Sequence, residues 1–572
     1  MSVLLMAALS NAATGKMIYV DDDAAGLNDG SSWQNAYVYL QDAMVDANSA
    51  EKPVEIRVAQ GIYKPDQGAF QIPGDREATF RLINGVAFKG GYAGLGEPDP
   101  DARNVELYET ILSGDLNSDD IKIDNVEIDY PWDLLNEPTR AENSYNVVIS
   151  IGTDDSAVLD GFTITNGNAN YRSLFGPPAT TGTVDDRLTS GAGMFNIFVG
   201  PIVINCTFTM NSAFRGGGMF NYDCSLILNN SNFSKNYSMS GGGMYNGNCS
   251  LTLTNCTFSE NHAGDGGGIC NVWSSILNLT DCTFIGNSAE FNGGGMYGGT
   301  ATLTNCAFIA NDAEQGGGLI TGDSSILTDC TFIANKAIYW GGGISSWSND
   351  TVSHCTFSGN SAGICGGAIY TFDTDINLTN CTLTGNSALN GSALACYDYL
   401  KFYIDNTYQG QITVEVDKAP SNIELTNCIL WDIGNEIWND DGSIITISYS
   451  DIKGGQAGIY DPYGVVVWGE GNINADPLFA DPGYWTNLND PNMVVEPNDP
   501  SAIWVNGDYH LKSRAGRWDP NSECWVIDDI TSPCIDAGDP LTPVMYEPHP
   551  RGCFINMGAY GGTEEASKSP LN

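Results

Sequence analysis

A phrase of about 25 residues recurs eight times between residues 191 and 390, and no other feature limits the possible folds so sharply. Its cleanest copy covers residues 241–265 and reads GGGMYNGNCSLTLTNCTFSENHAGD. Three anchors hold the copies in one register: glycine runs that begin at Gly216, Gly241, Gly266 and their equivalents, a Cys or Ser at positions such as Cys206, Ser231 and Cys256, and a closing Asn at Asn211, Asn236, Asn261 and onward to Asn386. Apolar residues alternate with polar ones inside each copy, as in Leu251-Thr-Leu253 and Cys256-Thr-Phe258, which is the period of a strand. A copy this short cannot bury its apolar face alone, so consecutive copies must stack. The expected fold is all-β, a single-stranded parallel β-helix with coils of about 25 residues. Three strands in each irregular coil favour the right-handed form. Stacked Asn residues are expected to satisfy one another as ladders at the corners.

The repeated GGG[MI]-x-N and NCTFxxNxA phrases resemble repeats of the polymorphic outer-membrane-protein type, within the wider pectin-lyase-like group of right-handed β-helices. YVDDDAAGLNDGSSWQNAYVYLQDA near the start, with SPCIDAGDP and INMGAYGG near the end, resembles secreted bacterial β-helix proteins that carry a choice-of-anchor Q region. The resemblance implies fold and export. It implies no single activity, because the shared residues are those that build coils.

In chain order the reading is a clipped signal peptide over 1–16, a strand and capping helix over 17–50, first coils with loop insertions over 51–190, regular coils over 191–440, and irregular coils with a linker and closing region over 441–572. Ser31 and Ser32 are expected to cap a helix over 33–47 that covers the open end of the stack. Residues 117–143 and 171–186 read as surface excursions, and 483–506, rich in Pro, Asn and Asp, as a linker. The leader-like start and the resemblance imply a secreted or cell-surface location, and no run approaches the ~20 apolar residues of a membrane-spanning helix.

The 23 Lys and Arg residues against 69 Asp and Glu leave a net charge of −46, which disfavours nucleic acid and anionic polymers as partners. A polysaccharide or other cell-surface component remains. Of the 16 cysteines, the ladder from Cys206 to Cys381 faces inward as small apolar residues, while Cys224 with Cys249, and Cys524, Cys534 and Cys553, stand where pairing is open.

Stacking turns repeat positions into spatial neighbours. Glu290 and Glu314 then form a candidate catalytic pair of carboxylates, and with Asp265 and Asp312 a candidate metal site for calcium, although acidic neighbours arise by chance in so acidic a chain. Phe198, Trp273 and Trp347 each follow the Met or Ile after a glycine run and are expected to share one line, three coils apart, as a glycan-binding face; the competing reading is that they cover corners of the core. The leading functional reading is a noncatalytic β-helix that binds glycan or another surface partner and requires no cofactor. The alternative is a polysaccharide-degrading lyase or glycoside hydrolase on the same scaffold; for a pectate-type lyase the resemblance implies an Arg or Lys base, and no such basic cluster is visible.

Overall fold

The computed structural model describes residues 15–121, 131–171, 184–397, 421–432, 434–544 and 546–570. Most of the leader-like stretch and of the 171–186 excursion, and all of 398–420, lie outside them. The chain forms two compact units, Met1–Leu277 and Asn278–Asn572, and each is right-handed parallel β-helix.

In the first unit one coil supplies four short strands where three were expected, Met194–Ile197, Ile202–Ile204, Thr207–Thr209 and Ser212–Arg215. Each pairs in parallel with its equivalent about 25 residues on: Met194 stands opposite Met219, Val203 opposite Leu228, Phe208 opposite Phe233, and Ala213 opposite Ser238. The result is a methionine sheet, a leucine sheet, a phenylalanine sheet and a narrower alanine strip around one interior. Alternation decides which side chains enter it, since every second residue of a strand faces in. Phe208, Phe233 and Phe258 are wholly buried and stack with centroids 4.7 and 4.8 Å apart. In the second unit Phe284, Phe308, Phe332 and Phe357 do the same at 4.6 to 4.8 Å.

The Asn anchors form the expected ladders. In the first unit the Asn211 and Asn236 amides each donate to the next Oδ1, at 3.1 and 2.9 Å, and Asn236 also donates to the Phe208 carbonyl. In the second, the ladder runs from Asn287 through Asn311, Asn335 and Asn360 to Asn386, and its last rung is a carboxyl, Asp432, whose Oδ1 accepts from the Asn386 backbone N–H and amide at 2.6 and 3.0 Å.

Three further expectations change. The capping helix occupies Leu40–Ser49 and buries Leu40, Ala43, Met44 and Ala47, but Ser32 caps only a short turn, Trp33–Asn35. Tyr37 is drawn out of helical conformation because it bridges Val20 and donates its N–H to the Tyr19 carbonyl, at the edge of the leucine sheet. The later part of the 117–143 excursion is packed structure: Pro131–Leu135 lies against the alanine strip, and the buried Arg140 donates to the Gly167 and Met210 carbonyls. The expected linker is a three-stranded antiparallel sheet, Tyr484–Asn487, Asp490–Val494 and Ala502–Val505, held on the coils by Trp485 Nε1 donating to the Gly385 carbonyl at 2.8 Å. Of the five cysteines open to pairing, none is disulfide-bonded; Cys224 and Cys249 have sulfurs 3.4 Å apart. Among the described residues no helix is long and apolar enough to cross a membrane.

Candidate functional site

The outer corner between the methionine and leucine sheets of the first unit carries two of the three aromatic candidates, Phe198 and Trp273. Strand register sets Ile197, Tyr222, Gly247 and Val272 in one line, so the residues that follow them, Phe198, Asp223, Asn248 and Trp273, occupy one line on the next position. All four share a left-handed backbone, with φ from 48° to 59°, which turns the side chains away from the interior. Phe198 is 45% and Trp273 53% exposed. The indole rests on Gly247, where a Cβ would come within 2.4 Å of its Cζ3, and the Tyr222 ring meets it edge-on at 5.6 Å. Between the two aromatics, Asn248 donates to the Asp223 carboxylate. Three coil spacings of ~4.8 Å separate the backbones of Phe198 and Trp273 by roughly 14 Å, and the indole leans back over that span toward Gly247 and Tyr222. The line therefore offers an aromatic ring, two hydrogen-bonding side chains and a second aromatic ring.

Trp347 does not continue it. It follows Ile344 by three residues, where Phe198 follows Met194 and Trp273 follows Ile269 by four, and the register of Ser346 with Thr371 sets it level with Phe372. It is 43% exposed, and its Nε1 donates to Ser345 Oγ at 2.8 Å.

The acidic candidates are spread along the alanine strips. Asp265 ends the strand His262–Asp265 in the first unit, and Glu290, Asp312 and Glu314 lie on Ser288–Asn292 and Asp312–Gln315 in the second. Ser288 pairs with Asp312 but Asn292 with Gln315, so an extra residue disturbs the register where Glu290 and Glu314 were expected to align. Asp312 stands opposite Lys336; burial raises its pKa and Lys336 opposes the rise. A protein cation thus already faces this carboxylate. Among the described residues, the acidic groups of three whose ligand atoms lie within 4.8 Å of one another are Asp21, Asp22, Asp23 and Asp115, Asp119, Glu142, not the expected set.

The sequence reading missed a second surface in the first unit. A groove of about 570 Å³ runs over the corner between the leucine and phenylalanine sheets. Its floor is an exposed amide ladder in which Asn255 donates to Asn230, Asn230 to Asn205, and Asn205 to Asp160 Oδ1, at 2.9, 3.3 and 2.8 Å. Thr163, Thr207 and Asn232 extend the floor, and Glu106 and Glu109 form the wall, the latter accepting from Thr163 Oγ1 at 2.9 Å. The Asn residues were visible as a repeat, but nothing periodic places the segment around 105–109 beside them.

These features define a right-handed parallel β-helix protein, and comparison with known proteins supports that class. A family model described as right handed beta helix region matches residues 190–383, and one described as disaggregatase related matches residues 463–538. Similar solved structures include pectate lyase Pel9A, at 12% identity and TM-score 0.37 over 96% of this chain and 97% of that one. The catalytic unit of a thermostable GH87 α-1,3-glucanase from Streptomyces thermodiastaticus strain HF3-3 gives 11% and 0.34 over 82% and 70%. A family 28 exopolygalacturonase of Yersinia enterocolitica gives 11% and 0.28 over 81% and 78%. No curated protein matches the chain.

Proposed function

We propose that this chain is a noncatalytic glycan-binding β-helix that works outside the cell or at its surface. The observation that carries the reading is the line Phe198, Asp223, Asn248, Trp273. A half-exposed indole backed by a glycine is a flat apolar plate, and such a plate suits the C–H face of a pyranose ring. Asp223 and Asn248 supply acceptors and donors for hydroxyl groups between the plates. The net charge of −46 selects neutral or cationic chains over polyanions.

The test is retention of the full chain on insoluble cellulose, chitin and β-1,3-glucan. Trp273→Ala should keep its fold and lose at least about tenfold in affinity for whichever glycan retains wild type, while Trp347→Ala should bind as wild type does. Equal loss in both variants, or none in Trp273→Ala, would overturn the assignment of this line. Release of reducing ends or unsaturated products from any of these glycans would favour the enzyme reading instead.

A further inference from the structure

The chain shows what its own corner surface can hold. In the second unit the residues at the leucine–phenylalanine corner include His354, Asn380 and Asn427, with φ of 53°, 51° and 58°, the same repeat position as Asn205, Asn230 and Asn255 at 53°, 49° and 52°. The closing segment of the chain lies on these rungs. The Asn380 amide donates to the carbonyls of Asn556, Gly558 and Gly561 at 3.2 to 3.4 Å, Gly558 N–H donates to the Asn427 carbonyl at 2.7 Å, and Ala559 N–H to Thr382 Oγ1 at 3.0 Å. Thr382 stands on the phenylalanine sheet two residues after Asn380, as Thr207 does after Asn205 and Asn232 after Asn230.

Close approach explains the glycines of INMGAYGG. A Cβ on Gly558 would come within 2.8 Å of both Thr382 Oγ1 and Ile429 Cδ1, and one on Gly561 within 1.9 Å of the Asn556 carbonyl oxygen of its own turn and 2.7 Å of the Asn380 amide nitrogen. The polar contacts between rungs and segment go to peptide N–H and C=O groups, which need backbone that can come close, while the buried Met557 side chain adds apolar packing against Ile429.

In the first unit the equivalent rungs floor an open groove of about 570 Å³. We infer that the groove over Asn205, Asn230 and Asn255 is a docking site for an extended, glycine-containing polypeptide segment of a partner protein, held by its backbone as residues 556–562 are held on Asn380 and Asn427. Glu106 and Glu109 on the wall disfavour a segment of net negative charge. The inference is independent of the glycan line, which lies on a different corner.

The probe is a fluorescein-labelled peptide with the sequence of residues 554–563, FINMGAYGGT, titrated into the full chain and followed by anisotropy. Saturable binding to wild type is expected. Asn230→Ala with Asn232→Ala, both exposed positions, should weaken it by about tenfold or more. A peptide with alanine at the positions of Gly558 and Gly561 should lose binding to the same extent. Trp273→Ala should leave binding unchanged, which separates a failure here from a failure of the glycan reading. Absence of binding at about 1 mM peptide, equal binding by the double variant, equal binding of the alanine peptide, or displacement by soluble cellohexaose would each overturn the proposal, the last by assigning the groove to sugar.

Discussion

Asp432 breaks the rule of its own ladder. It stands where every earlier rung of its ladder has Asn, wholly buried, with Oδ2 lacking a hydrogen-bond partner. Burial pushes its pKa up to about 7 against the Asn386 hydrogen bonds and the nearby Lys453. Glu436, also buried, is pushed up by burial and then by Asp432, while it accepts from the Asp432 N–H at 3.0 Å. A raised pKa in the fold means the proton is held more tightly there than in the unfolded chain. The stability this group contributes is therefore complete below its ordinary pKa of 3.8 and falls as pH rises through about 7. Asp432→Asn removes the titration and keeps the acceptor. It should match wild type near pH 4 and exceed it by about 1 to 3 kcal/mol at pH 8.5, as read from urea unfolding at both values. A variant whose stability tracks wild type across that range would show that Asp432 does not titrate with folding.

At the scale of elements, the ladders and the stacked rings divide the work of holding one coil to the next. The phenylalanine stacks supply apolar burial without direction, and a coil could slide along them. The Asn ladders fix register, because each amide has one acceptor below and one backbone carbonyl beside it. Asn236 shows what a single rung supports: its Oδ1 accepts both the N–H and the amide of Asn211, and its own amide serves Asn261 Oδ1 and the Phe208 carbonyl. Replacing it by Ala leaves those buried groups unpaired and should cost about 2 to 4 kcal/mol, with hydrogen exchange accelerating at Asn211 before the rest of the coil. Uniform acceleration throughout the unit would mean that the rung contributes to global stability without setting local register. The bulge at residues 288–292 is the counterexample within the same architecture. One added residue shifts the strand register beside an intact ladder between Asn287 and Asn311, and the same coils stay in register through the ladder and the phenylalanine-sheet pair Phe284 with Phe308.

For the whole molecule, the charge of −46 is the dominant long-range term. Ion pairs such as Lys16 with Asp46 and Arg517 with Asp508 offset it only locally. Screening should therefore relieve more repulsion than attraction, since the Debye length shrinks from about 30 Å at 0.01 M to a few Å at molar salt. The melting temperature should rise on the order of 1 to 3 °C between 10 mM and 0.5 M NaCl, measured by calorimetry. A fall would mean that local ion pairs outweigh the net repulsion. The coil, its inward faces and its amide ladders are legible in the repeat, because in a solenoid each repeat touches mainly its neighbours and a linear period becomes a spatial one. One residue is enough to leave the line, as at Trp347, which follows Ile344 by three positions rather than four. Other features emerge only on folding: the half-exposed seat of Trp273 on Gly247, the wall that residues around 105–109 add to the Asn205 corner, the helix and Arg140 that cover the alanine strip, and the closing segment laid across Asn380 and Asn427. None of these repeats along the chain. Each depends on a unique stretch meeting a surface that only exists once the coils have stacked, and no local pattern records where such a stretch will land.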